Sequence, residues 1–197
     1  MSDRERIGLF GGSFDPVHTG HLILAQIAAE AAGLSRVYFI PTAAPPHKSG
    51  RAMSPYDDRV EMVRLAIEGN PLFELSLIEG TGGQSYTWES VIHFAEMGYG
   101  REDLHVIVGS DSLSEMSRWR NPEKIFENAT IISMVRPGGP ERPAPPAGAA
   151  IIVVETGANT ISSSGIRERA AAGLTIKYLV PGPVERYIAE RGLYSGT

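Results

Sequence analysis

No cysteine occurs among the 197 residues, and that absence removes disulfide staples, thiolate zinc sites, iron–sulfur clusters and cysteine nucleophiles together. No run approaches the roughly 18 apolar residues of a membrane-spanning helix. The opening MSDRER is not followed by the apolar segment and small-residue cleavage site of a secretory signal. Positive charge is scarce too: 18 Lys and Arg face 23 Asp and Glu, for a formal charge of −5 and an isoelectric point near 5.6. Such a chain has no global field to attract nucleic acid or anionic lipid, so an anionic ligand must be held by local dipoles and a few placed cations. The expectation is a cytoplasmic protein with one domain over residues 1–197, its helical part from about 160 packed on the rest.

What is present is a β-α alternation. Ile7–Phe10, Val37–Ile40, Phe73–Ile78, Leu104–Val108, Thr130–Val135 and Ile151–Val154 are short apolar runs, mostly β-branched, as in strands buried on both faces. Glu74 and Ser76 interrupt the third, which suits a sheet edge. Between them lie helical stretches with start and stop signals. Ser54-Pro55 with Asp57 predicts an N-cap and a proline at the first helical position, and Gly69-Asn70-Pro71 predicts the end. Asn121-Pro122-Glu123 predicts another start. Pro183 opens a last helix with Val184, Tyr187, Ile188 and Leu193 on an inner stripe. The pattern predicts an α/β fold of Rossmann type, a doubly wound parallel sheet with helices on both faces. Arg136–Gly148 holds five prolines and three glycines, which resists both helix and strand and reads as a surface excursion.

The most informative segment is Gly11-Gly12-Ser13-Phe14-Asp15-Pro16-Val17-His18-Thr19-Gly20-His21. It follows the first strand and precedes an amphipathic run to Ala32 that Gly33 terminates. Ligands of open parallel sheets bind at the carboxyl ends of strands. Glycines there let the backbone approach an anion, and the following helix directs its positive dipole end into the same space. The Walker pattern is missing, since no lysine precedes Lys48, and so is the GxGxxG of dinucleotide-binding proteins. In their place stand His18 and His21, three residues apart at a helix start and so on one face, with Gly20 clearing the approach. Imidazoles so placed suit hydrogen bonding to phosphoryl oxygens. A zinc pair is the alternative reading, but His47, His93 and His105 form no second pair. Neither His93 nor His105 is assigned a role.

GGSFDPVHTGH resembles the first signature of the (H/T)xGH nucleotidyltransferases, and Ile161-Ser162-Ser163-Ser164-Gly165-Ile166-Arg167 resembles their second, ISSTxIR. Within that superfamily the chain is most similar to the bacterial nicotinate-mononucleotide adenylyltransferases. Pro45-Pro46-His47-Lys48, Ser85-Tyr86-Thr87, Gly109-Ser110-Asp111 with Trp119, and Val135-Arg136-Pro137-Gly138 carry this, together with Tyr178-Leu179-Val180-Pro181. The likeness spans nearly the whole chain. It implies adenylyl transfer from ATP to nicotinate mononucleotide, with Mg2+ held mainly by ATP phosphates and no protein metal ligand. It also implies catalytic roles for His18 and His21.

By the same resemblance Gly11, Gly12, Ser13, Phe14, Gly20, Gly109, Asp111, Ser162, Ser163, Ile166 and Arg167 belong to the ATP site. Lys48, Ser85, Tyr86, Thr87, Trp119 and Arg136 belong to the mononucleotide site. Each has a plainer reading beside it. One serine of 162–164 is an N-cap, Asp111 caps a short helix, and Thr87 caps a helix over Trp88–Met97. Trp119 is a packing anchor, Lys48 a solvated lysine, Arg136 half of a surface ion pair, and Asp15 a cap on the glycine loop. Ser164 stands where the family has threonine, and Ser90 ends the family's SYTxxT; both keep a hydroxyl. Competing functions are a related adenylyltransferase using nicotinamide mononucleotide or phosphopantetheine, a nicotinamide-dependent oxidoreductase, and a noncatalytic nucleotide-binding module. The expected partners are ATP and nicotinate mononucleotide, with no nucleic acid or membrane, in a monomer or homodimer.

Overall fold

The computed structural model describes residues 5–43, 53–80, 86–135, 146–157 and 160–196. Lys48, Ser85, Arg136 and most of the proline-rich stretch lie outside the described residues. Six strands form one parallel sheet: β1 (Ile7–Gly12), β2 (Arg36–Pro41), β3 (Phe73–Leu75), β4 (Leu104–Gly109), β5 (Thr130–Val135) and β6 (Ile151–Glu155). Their order is β3-β2-β1-β4-β5-β6, with every neighbour parallel. The expected doubly wound sheet is what forms. The order reverses between β1 and β4, so the carboxyl ends of these two strands, Gly11–Gly12 and Gly109, flank the crevice where such sheets bind ligands.

Successive side chains of a strand point to opposite faces, and both faces here are covered. Phe10, Phe39, Ile107 and Ile132 meet α1 (Thr19–Ala32), α2 (Tyr56–Ile67), α6 (Ser163–Ala171) and α7 (Gly182–Glu190). Leu9, Ile40, Val106 and Ile131 meet α3 (Thr87–Glu96), α4 (Ser110–Glu115) and α5 (Pro122–Asn128). In β1 the glycine at position 8 is required by packing: a Cβ there would lie 2.7 Å from Leu34 Cδ1.

Several boundaries differ from the sequence expectation. The third run pairs only over Phe73–Leu75 and is an edge strand, because the chain turns into a 3-10 helix at Ile78–Gly80. Helix α1 begins at Thr19, three residues before its apolar run, and ends at Gly33 in the left-handed region with φ 62°. Pro55 rather than Ser54 is the N-cap of α2, so Ser54 lies outside the helix and its carbonyl turns to Arg59. Helix α7 docks on α2 through the buried Asp58, whose Oδ1 accepts from Tyr187 Oη at 2.7 Å and Arg191 Nε at 3.2 Å.

Candidate active site

The loop joining β1 to α1 is built around Phe14. Its backbone is left-handed, with φ 47°, which costs a non-glycine residue about 1 kcal/mol or more. Burial of the ring offsets this: it is 1% exposed and packs edge-on against Phe10 and His21, with centroids 5.8 and 5.1 Å away. Gly12 makes room for the same ring, since a Cβ there would lie 3.1 Å from it. A Cβ on Gly11 would meet nothing within 4 Å, so Gly11 is the glycine that leaves the approach open. Phe14 gives its ring to the core.

His18 is the N-cap of α1 and His21 its third residue. The His18 N–H donates to His21 Nδ1 at 3.2 Å, and the rings stack with centroids 3.7 Å apart and planes 25° from parallel. Because Nδ1 of His21 accepts, the neutral ring carries its proton on Nε2, where it serves as a donor. The one-face arrangement expected from the spacing is therefore present, while Gly20 is buried in the first turn between them.

The second signature is tied to this loop. Ser163 Oγ donates to the Pro16 carbonyl at 2.9 Å, and Arg167 Nη1 donates to the Asp15 carbonyl. Ser162 is the N-cap of α6, accepting from the Gly165 N–H at 3.2 Å. Arg167 is the fifth residue of α6, past its first turn, and the anion beside it is Asp15, with Oδ2 3.9 Å from Nη1. Asp15 is 3% exposed and also accepts from Tyr194 Oη at 2.7 Å. Burial, with help from the Asp15 charge, pushes the Tyr194 hydroxyl far above its usual range, so it remains a donor. Ile166 packs in the core and, with Ile161, Ser162, Arg169, Leu174 and Leu179, borders a cavity of about 470 Å³. That is within the size of small-molecule sites.

Across the switch point, Asp111 is exposed in the first turn of α4, whose N-cap is Gly109 rather than Asp111. Thr87 is the first residue of α3 and Tyr86 its N-cap, so Thr87 does not cap the helix with its side chain. Trp119 is partly buried against the α3–α5 cluster. The next residue, Arg120, donates to Tyr86 Oη at 3.1 Å and sits 4.8 Å from the ring centroid. This contact brings Tyr86, Thr87 and Trp119 into one neighbourhood.

Sequence reasoning missed three residues: Asp15 as a hub, Tyr194 as its partner and Arg59. The Arg59 guanidinium is buried and donates to four carbonyls. Arginine within a charged helix start, or tyrosine after a last helix, carries no local pattern that reveals such partners.

A family model described as Cytidylyltransferase-like matches residues 9–169. A Pelobacter propionicus protein named "probable nicotinate-nucleotide adenylyltransferase" is 41% identical, over 96% of this chain and 98% of its own. A Thermus thermophilus protein of the same name is 40% identical, over 96% and 99%. The chain belongs to the nicotinate-nucleotide adenylyltransferase family. Among solved structures, Plasmodium falciparum nicotinic acid mononucleotide adenylyltransferase complexed with NaAD superposes with a TM-score of 0.81. Identity there is 17%, over 96% of this chain and 97% of that one. At that identity the likeness shows a shared fold. The (H/T)xGH and ISSTxIR-like signatures of this family member are thus the two segments that Ser163 and Arg167 stitch together.

Proposed function

We propose that the protein transfers the adenylyl group of ATP to nicotinate mononucleotide, giving deamido-NAD and pyrophosphate in NAD biosynthesis. The observation that carries this reading is the stacked pair His18–His21 at the sheet's switch point, within a chain that matches adenylyltransferases over nearly its whole length. A phosphate oxygen of the mononucleotide attacks the α-phosphorus of ATP, the new P–O bond forms, and the bond to the β-phosphate oxygen breaks. The nucleophile is already an anion, so no base or covalent intermediate is needed. Catalysis consists of positioning and of stabilising charge on the α-phosphate and departing pyrophosphate.

His18 and His21 serve that role as donors to phosphoryl oxygens. Gly11, Gly12, Ser13 and the backbone of Phe14 line the phosphate approach, with Gly20 clearing it. Ser162, Ser163, Ile166 and Arg167 bound the side that takes the rest of ATP. Gly109 lets the backbone approach ATP, and Asp111 supplies a carboxylate for a ribose hydroxyl. On the acceptor side Trp119 offers a face to the pyridine ring, Thr87 a helix start to the carboxylate, and Tyr86 precedes that start, with Ser85 assigned to the same site on sequence grounds. Lys48 and Arg136 are the cations assigned to the mononucleotide phosphate on sequence grounds.

Mg2+ enters with ATP. Among the described residues of the phosphate loop the one carboxylate is Asp15, which Tyr194 and Arg167 already engage. The ion would then be held by ATP phosphate oxygens and water, and it would supply neutralisation of leaving-group charge. A cytoplasmic setting suits the cysteine-free composition, and we read the chain as one domain that includes the helices after residue 160.

Pyrophosphate release tests the assignment, with nicotinate mononucleotide, its amide and phosphopantetheine offered in parallel with ATP and Mg2+. Strong preference for the acid is expected. Preference for the amide overturns the reading of Thr87, and activity with phosphopantetheine alone overturns the acceptor.

A further inference from the structure

Arg59, in the first turn of α2, is 1% exposed. Nη1 donates to the carbonyls of Ser13 and Thr42, both at 2.8 Å. Nη2 donates to the Ala43 carbonyl at 3.2 Å and Nε to the Ser54 carbonyl at 3.1 Å. Burial lowers the affinity of this group for its proton, and the Asp15 charge works the other way. Removing a guanidinium from water costs several kcal/mol, and an apolar side chain of similar volume usually packs as well. Something other than core stability accounts for its position.

The four carbonyls come from three separate stretches. Ser13 belongs to the loop after β1, Thr42 and Ala43 to the chain leaving β2, and Ser54 to the approach to α2. Ala43 and Ser54 thus bracket the stretch that contains Lys48. The C=O and N–H of a trans peptide unit point in opposite directions. Holding the Ser13 carbonyl against Arg59 therefore turns the Phe14 N–H away from Arg59. We propose that Arg59 is a positioning residue that sets the loop after β1 and the chain leaving β2 in one register, so that the ATP side and the acceptor side are placed together. This rests on the adenylyl-transfer reading for which substrate each stretch serves. The planar fork matters as much as the charge, because a lysine ammonium cannot span four carbonyls.

Arg59→Lys tests this in the full-length protein, beside Phe94→Leu, a core change on the opposite face of the sheet. Two readouts are taken at matched stability: kcat/KM for each substrate, and amide hydrogen exchange over residues 9–15 and 38–43. The lysine variant is expected to lose about 10²-fold in kcat/KM for both substrates. It is also expected to lose protection in both segments, while Phe94→Leu does neither. Unchanged protection in either segment, a kinetic loss for one substrate alone, or an equal loss in Phe94→Leu overturns the proposal. If the lysine variant does not fold, native-state exchange of the wild-type protein decides: the two segments must open together, and separate openings overturn it. Wild-type protein that releases no pyrophosphate would instead defeat the adenylyl-transfer reading, and the exchange data would still decide the role of Arg59.

Discussion

The two sides of the crevice are built differently. On the side of β1 and α6, the loop after β1 is fastened by buried or half-buried groups: Asp15 receives Tyr194 and Arg167, Ser163 holds Pro16, and Arg59 holds Ser13. On the side of α3 and α4, Asp111 and Arg120 are exposed, and the Tyr86–Arg120 contact is a surface one. The difference suits the substrates proposed for each side. Triphosphate chemistry demands fixed donors at a developing charge, whereas a flat ring and a ribose tolerate a looser seat.

The largest expected effect is on chemistry. His18→Ala and His21→Ala should each reduce kcat by about 10²-fold or more in a pyrophosphate-release assay on folded protein, beyond the cost of about 0.5–2 kcal/mol in stability that loss of the helix cap brings. Full activity in either variant breaks the assignment of that histidine.

Next comes Asp15→Ala, which removes the carboxylate that accepts from Tyr194 and faces Arg167 but keeps the carbonyl to which Arg167 donates. Its cost should be about 1.5–3 kcal/mol in denaturant unfolding, the scale of a hydrogen bond to a charged group, with a similar cost for Tyr194→Phe. Arg120→Ala on the other side should cost less than about 1 kcal/mol, the scale of an exposed cation–π contact. An equal cost for Asp15→Ala and Arg120→Ala would erase the contrast between the two sides.

The smallest effect lies away from the crevice, at the start of β4. His105 is 3% exposed, with Nδ1 3.3 Å from the Ile7 carbonyl and with Asp103 and Arg6 nearby. Burial lowers its pKa below the ordinary 6.5, so the folded state binds its proton less readily than the unfolded state. Its contribution is complete above the ordinary value and is lost as pH falls through the folded one. His105→Asn should flatten the dependence of unfolding free energy on pH in that window. An unchanged slope would mean another group carries it.

The sheet was legible in the sequence because strands buried on both faces must be continuous apolar runs, and five of the six run nearly as read. Phe73–Ile78 was not, since pairing stops where Ser76 and Leu77 leave the edge. The histidine pair and the serine signature were legible because their spacing is local. Ser54 and Thr87 misled for a shared reason: a hydroxyl beside a helix start is a cap only when the backbone turns at that residue, and here it turns at Pro55 and Tyr86. The Asp15–Tyr194 bond and the Arg59 fork join residues that no period links, so only the folded arrangement reveals them.

The partners Asp15 and Tyr194 stand 179 positions apart. A ribosome at work on this message releases the glycine loop early and the tyrosine very late, with about 5–20 residues added each second. During that interval the emerging chain already carries both histidines but lacks the hydroxyl that locks the turn before them. The turn is therefore locked only once Tyr194 has emerged and folded back onto Asp15, and a chain stalled short of it is left with an unlocked loop.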